Sequence, residues 1–145
     1  NATPDEIVRD LTGMAGALIA AQKGAGGQVL ESFTCVMPIE QYTHIAQTRM
    51  GDGSNETILS FVLKTSPFIK EIVSWHRCDN AGAGGTVDRI AMYVKDAKVL
   101  GALVPMEFTA MAPQERNMAY VVNCLARTGG VISRYPVAML YADGS

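Results

Sequence analysis

At 145 residues, of which 48% are hydrophobic and 18% charged, the chain is long and apolar enough to bury a core as one domain. Its net charge of −2 argues against the strongly basic surface of a general nucleic-acid binder. The longest uncharged apolar stretch, residues 11–22, falls short of the roughly 20 residues that cross a membrane. We therefore expect a soluble chain with no membrane partner and no specific nucleic-acid binding.

The first element predicted along the chain is a helix that starts at residue 4. Thr3 is a good N-cap, Pro4 suits the first helical position, and Glu6 completes a capping box. Gly24 is the expected residue just beyond the helix, and residues 24–27 are predicted to form a flexible connector.

A short strand and two more helices are predicted next. Alternating apolar residues favour a strand at Phe33–Met37, and a helix is predicted over 38–50. After a turn at Asp52-Gly53, Ser54 is predicted to cap a third helix over 54–66, which a proline ends.

The second half of the chain is predicted to be mainly strands. They are expected at residues 69–75, 89–94, 99–104, 120–127, 131–135 and 137–141. Residues 106–117 look irregular, and Gly129-Gly130 is predicted to be a hairpin turn between two of the strands. Helices first and strands later predict an α+β fold, with residues 1–145 as a single unit.

Two glycine-rich stretches, 24–27 and 79–86, were weighed as phosphate-binding loops. Neither has the lysine and hydroxyl residue of a Walker loop at the required spacing. Neither has the third glycine of a dinucleotide-binding turn. Plain flexible loops are favoured, and no nucleotide cofactor is expected.

His76 and Cys78 could form half of a zinc site, because they lie two residues apart. A closed site needs four ligands, and the remaining candidates, Cys35, His44 and Cys124, are isolated in sequence. Three sparse cysteines are also more typical of reduced thiols than of a disulfide framework. Buried thiols and a structural histidine are favoured, and no metal is expected.

No catalytic set is visible either. The serines lack a Gly-x-Ser-x-Gly elbow, and a Cys–His pairing among so few residues could arise by chance. Asp5 and Glu6 belong to helix capping rather than to a pair of catalytic carboxylates. The chain is therefore predicted not to be an enzyme and to have no catalytic, cofactor-binding or metal-binding residues.

Arginines and aromatic residues alternate loosely in the second half, as they do in some nucleic-acid-binding faces. The residues are Arg77, Arg89, Arg116, Arg127 and Arg134, with Trp75, Tyr93, Tyr120 and Tyr135. Acidic neighbours cancel much of the charge, so a solvated face or a contact between subunits is favoured.

Residues 38–145 also resemble a known family through the order and spacing of many modest features. These features are ILSFVLKTSP at 58–67, IV at 72–73, the loop at 78–85, RIAMY at 89–93, VPM at 104–106, APQ at 112–114 and GGVISRYPVAMLY at 129–141. Together they resemble the C-terminal region of tailed-bacteriophage and prophage major capsid proteins with the Hong Kong 97-type, encapsulin-like coat fold.

The resemblance implies a structural subunit of an icosahedral capsid that assembles into pentamers and hexamers around double-stranded DNA. It implies mainly the axial domain, with the returning strands of the peripheral domain, and a location in the virion or, before assembly, in the host cytoplasm. The expected partners are other copies of the chain and a scaffolding protein. The alternative is a small soluble α+β enzyme or binding module of unknown ligand.

The resemblance also bears on how much of a coat protein the chain supplies. The chain starts at Asn1 rather than at methionine, which favours a C-terminal fragment of a longer capsid protein, although processing or tag removal would leave the same start. The family's N-terminal arm and extended loop are not recognisable. We therefore expect the chain alone to form oligomers or soluble aggregates but no closed particles.

Overall fold

The computed structural model describes residues 3–25, 29–51 and 53–144. The predicted connector at 24–27 and the predicted turn at Asp52-Gly53 lie partly outside these residues. The helices are α1 (Pro4–Gly24), α2 (Ile39–Gln47) and α3 (Ile58–Thr65), with single 3-10 turns at His76–Cys78, Ala83–Gly85 and Pro136–Ala138. The strands are β1 (Phe33–Met37), β2 (Ile69–Ser74), β3 (Arg89–Val94), β4 (Leu100–Leu103), β5 (Met106–Ala110), β6 (Gln114–Arg116), β7 (Ala119–Val121), β8 (Cys124–Arg127), β9 (Gly130–Ser133) and β10 (Met139–Asp143). Within the described ranges, no helix has both the length and the apolarity needed to cross a bilayer.

A four-stranded mixed sheet in the order β10-β3-β1-β2 organises the body of the protein. β1 pairs in parallel with β2, and the other two pairings are antiparallel. A parallel pair needs a crossover connection, which here consists of α2 and α3. The predicted order of helices followed by strands is therefore too simple, although the mixed helix-and-strand composition is as expected.

The core lies between one face of this sheet and the helices. Phe33, Met37 and Met92 supply the buried side of the sheet, and α1 and α3 cover it with residues such as Leu18 and Ile58. The alternate residues of the same strands point to the opposite face, because successive strand side chains alternate.

Helix α1 begins as predicted. The backbone N–H of Thr3 donates to Oε2 of Glu6 at 2.8 Å, and this hydrogen bond lowers the pKa of the Glu6 carboxyl. The predicted end is one residue short, because Gly24 is still helical and Ala25 is the C-cap. Near this end the buried Gln22 side chain accepts from the N–H of Leu30 at 2.6 Å, which ties the helix to the segment that enters β1.

The third helix starts later than predicted. Thr57, not Ser54, is its N-cap, and the Thr57 hydroxyl accepts from the N–H of Ser60 at 3.3 Å. The Ser54 hydroxyl instead accepts from the N–H of Glu56 at 3.1 Å in a turn before the helix. The segment just before α3 pairs with the segment that follows α2, through the bridge between Thr57 and Arg49.

Four predictions for the second half need correction. The first is the single strand predicted at 120–127, which is divided into β7 and β8. Residues 106–117 are not irregular but contain β5 and β6. Gly129-Gly130 is not a hairpin turn, because β8 pairs with β5 and β9 pairs with β4. The last predicted strand, 137–141, is also shifted, because Pro136–Ala138 form a 3-10 turn before β10.

Two glycine substitutions should change stability in opposite directions. A Cβ on Gly82 would lie 2.8 Å from the carbonyl oxygen of Val87, so Gly82→Ala should lower the free energy of unfolding by about 1–3 kcal/mol. Gly13 lies inside α1 with open space around it, so Gly13→Ala should raise the free energy of unfolding by about 0.5–1 kcal/mol. Urea unfolding of both variants checks this, and equal effects of the same sign would contradict the close approach at Gly82.

Candidate assembly interface

Residues 100–133 form one long β-hairpin, which we call the β-arm. Its three ladders follow one another along the hairpin: β4 with β9, β5 with β8, and β6 with β7. At about 3.3 Å per residue, the arm extends for roughly 50 Å. Every residue from 102 to 133 is exposed, so the arm projects from the body and packs chiefly on itself.

A two-residue turn closes the tip of the β-arm. Asn117 and Met118 both have positive φ values, 51° and 63°, between the paired residues Arg116 and Ala119. Positive φ at both central positions is the geometry of a type I′ hairpin turn. Methionine rarely adopts this conformation, and Met118 is fully exposed at the tip.

Both faces of the β-arm are apolar. Consecutive strand residues point to opposite faces, and both Val131 and Ile132 in β9 are exposed, as are both Tyr120 and Val121 in β7. A ribbon with one face in solvent would alternate apolar and polar residues. An isolated two-stranded hairpin is at best marginally stable in water, so the exposed apolar surface of the arm is typical of an interaction site.

A second surface is an apolar groove between α1, α2 and the end of the sheet, which we call the α1–α2 groove. It has a volume of about 720 Å³. The apolar walls come mainly from Leu11, Met14, Ile45 and Ile90. The carboxylates of Asp10 and Glu40, two exposed residues, lie at its edge.

The third surface is the face of the sheet that points away from the helices, which we call the open face. It holds a depression of about 650 Å³, whose lining includes Val36, Val73, Trp75, Tyr93 and three cationic side chains. The cations are Arg77, Arg89 and Lys95. Lys95 contacts Glu71 at 3.3 Å.

Arg89 contacts two residues of β10 at this face. Its Nε and Nη2 donate to the two carboxylate oxygens of Asp143 at 2.7 and 3.1 Å, and its guanidinium lies 4.4 Å from the ring centre of Tyr141. The hydrogen bonds to Arg89 lower the pKa of Asp143. Asp143 also accepts from the N–H of Ala83 at 3.0 Å, so this cluster joins β3, β10 and the glycine-rich loop.

The other arginines do not form one basic face with the aromatic residues. Arg116 and Arg127 lie on the β-arm with Tyr120, whereas Arg77 and Arg89 lie at the open face. The glycine-rich loop at 79–86 folds back on itself, and the N–H of Gly82 donates to the carbonyl of Val87 at 2.7 Å. Weak nucleic-acid binding and the absence of a nucleotide cofactor stay predictions.

The candidate zinc ligands are spread over the molecule. Cys35 lies in β1 and Cys124 on the β-arm, whereas His44 lines the α1–α2 groove. Within the described residues, no group of three or more His, Cys, Asp or Glu side chains could hold a metal ion. His76 and Cys78 share one 3-10 turn, in which Cys78 is buried.

Thiol reactivity should distinguish the three cysteines. Burial raises the pKa of the Cys35 thiol to about 12, so its reactive thiolate is scarce at neutral pH, and burial also raises the pKa of Cys78. Cys124 is exposed. A maleimide should therefore label one site rapidly in the native chain and three after denaturation, as mass spectrometry would show. A Cys124→Ser variant serves as the control, and rapid native labelling of Cys35 would contradict the buried position of β1.

The fold matches those of two solved structures. The capsid of Myoviridae phage XM1 superposes with a TM-score of 0.80 at 15% sequence identity, covering 100% of this chain and 48% of that one. A virus-like particle from Pyrococcus furiosus superposes with a TM-score of 0.63 at 14% identity, covering 96% of this chain and 51% of that one. The chain thus spans about half the length of these two proteins.

The sequence supports the same assignment independently of the superpositions. A family model described as "Major capsid protein" matches residues 1–144, and the chain therefore belongs to the major capsid protein family. No curated protein sequence matches it significantly. The predicted resemblance to phage coat proteins and the α+β coat fold are confirmed.

Proposed function

We propose that the chain is a structural subunit of a tailed-phage or prophage capsid and acts by binding other copies of itself. The observation that carries this proposal is the β-arm, whose apolar side chains are exposed on both faces. Membership of the major capsid protein family supports the same role. The chain's place is then the virion and, before assembly, the host cytoplasm.

The finer features of this role follow from the capsid assignment. Copies are grouped as pentamers and hexamers around double-stranded DNA, with a scaffolding protein as a partner during assembly. The chain performs no catalysis in this role. A net charge of −2 suits a shell that must enclose DNA without holding it, since phosphate neutralisation supplies most non-specific affinity.

Sedimentation velocity over a wide range of concentrations tests the proposal. We expect reversible oligomers or soluble aggregates, because the arm would otherwise leave a large apolar surface in water. Negative-stain electron microscopy of the same samples should show small assemblies without closed shells. A chain that stays monomeric at every concentration, with and without the rest of a coat protein, would contradict a role in a shell.

A further inference from the structure

The single tryptophan of the chain lies on a fixed backbone with half of its surface in solvent. Trp75 follows β2, and 52% of its surface is exposed. The backbone N–H of Trp75 donates to the carbonyl of Met37 at 2.9 Å, and its backbone carbonyl accepts from the N–H of Cys78 at 3.0 Å. An aromatic side chain loses little entropy on binding because it has only two rotatable bonds, and tryptophan is enriched among the residues that dominate interfaces.

The α1–α2 groove has the size and character to receive such a side chain. Its volume of about 720 Å³ lies within the range of roughly 300–1,000 Å³ found for ligand pockets. Met14 and Met37 are among its lining residues, and methionine adapts its shape to an incoming aromatic ring. The groove is accessible from solvent, since its lining residues Asp10 and Glu40 are exposed, so another protein can enter it without unfolding this one.

The charges beside the tryptophan and beside the groove are opposite. Arg77 is exposed and has no ion pair within the described residues. Glu40, at the edge of the groove, likewise has no ion pair there, and Asp10 contacts only its exposed neighbour Arg9, at 3.6 Å. Complementary charges at an interface fix its register and speed association.

We propose that Trp75 of one copy inserts into the α1–α2 groove of a second copy, with Arg77 facing the carboxylates of Asp10 and Glu40. This contact rests on the proposed function, because it is one of the contacts by which coat subunits join. It assigns a partner, a second copy of this chain, to two surfaces that are otherwise unexplained.

The placement of the two surfaces determines the kind of assembly. The groove is lined by Met37 and Ile90, which point to the helix side of the sheet, whereas Trp75 belongs to the open face with Val36 and Ala91. Because Trp75 and the α1–α2 groove lie on opposite faces, two copies cannot form this contact twice with each other, as a two-fold symmetric dimer would require. The contact is therefore head-to-tail, which produces a ring when the rotation closes.

Intrinsic fluorescence follows this contact directly, because the chain has one tryptophan. The emission of Trp75 should shift to shorter wavelength, and its quenching by acrylamide should weaken, as the chain associates. Trp75→Ala should weaken association about thirtyfold, the effect of losing a typical interface hot spot. A shift that fails to accompany association would overturn the proposal.

A charge reversal tests the partner residues without disturbing the core, because Arg77 and Glu40 are both exposed. Arg77→Glu and Glu40→Arg should each weaken association by about tenfold, and the double variant should restore much of it. Lys98→Glu, an exposed residue outside both surfaces, is the matched control for the change in charge.

The outcomes separate this contact from the broader role. If the wild-type chain associates but the Trp75, Arg77 and Glu40 variants associate equally well, this contact is wrong and the capsid role stands. If only the Glu40 variant weakens association, another segment such as the tip of the β-arm occupies the groove, and the contact is also wrong. A wild-type chain that never associates would contradict both.

Discussion

Replacing Phe33 with alanine is expected to lower the free energy of unfolding by about 3–5 kcal/mol, the usual cost of removing a buried phenylalanine. Phe33 is fully buried in β1, where it pairs with Ile69 of β2 and Val94 of β3. Because single domains are stable by about 5–15 kcal/mol, the melting temperature should fall by roughly 10 °C or more.

The chain contains a matched control for this change. Phe108 on the β-arm is 72% exposed, so Phe108→Ala should cost less than about 1 kcal/mol. Thermal and urea unfolding of the two variants should be compared at a protein concentration low enough that neither variant associates, since association stabilises the folded state. Equal losses from the two variants would contradict the position of Phe33 at the centre of the core.

Making the β-arm polar should have the largest effect on assembly. Phe108 and Val131 are each 72% exposed, and burying such side chains contributes about 1.5–3 kcal/mol apiece. The double variant Phe108→Gln, Val131→Gln should therefore weaken self-association by at least about a hundredfold. Its melting temperature, measured at low concentration, should change little.

Leu63→Gln provides the control for the arm variant. Leu63 is an exposed apolar residue of α3, outside the β-arm, the α1–α2 groove and the open face. Sedimentation velocity should show nearly unchanged association for this variant. Equal weakening by Leu63→Gln would mean that association depends on general hydrophobicity rather than on the arm.

The body of the fold was largely predictable, because its signals are local. Proline at the first helical position and Glu6 mark the start of α1, and alternating apolar residues mark β1 and β3. The start of α3 was less predictable, because serine and threonine are both favoured N-cap residues and serine ranks higher, although Thr57 is the actual cap. The tertiary pairing of Arg49 with Thr57 decides between them.

The β-arm was missed because its signals are misleading. Its turn has the sequence Asn117-Met118, whereas Asn-Gly is the usual signature of such a turn. Because methionine replaces the glycine, the sequence does not indicate a turn there. Gly129 suggests a turn, but it serves a close cross-strand approach: a Cβ there would lie 3.0 Å from Cδ2 of Leu103. Its N–H donates to the carbonyl of Leu103 at 2.8 Å, which places this glycine inside the hairpin rather than at its end.

The surfaces of the candidate interface could be predicted only in part. The scattered arginines and aromatic residues suggested contacts between subunits, but not which residues share a surface. The α1–α2 groove combines residues from α1, α2, β3 and the end of the chain, which no sequence spacing brings together. In the sequence, Trp75 stood out only as one of several aromatic residues interleaved with arginines.

Cryo-electron microscopy of shells formed by a coat protein that contains this chain tests the central claim most directly. The account predicts that the fold of residues 3–144 repeats at every subunit position and that other protein covers both faces of the β-arm. Shells in which the arm projects uncovered into solvent, or in which the density lacks this fold, would contradict it.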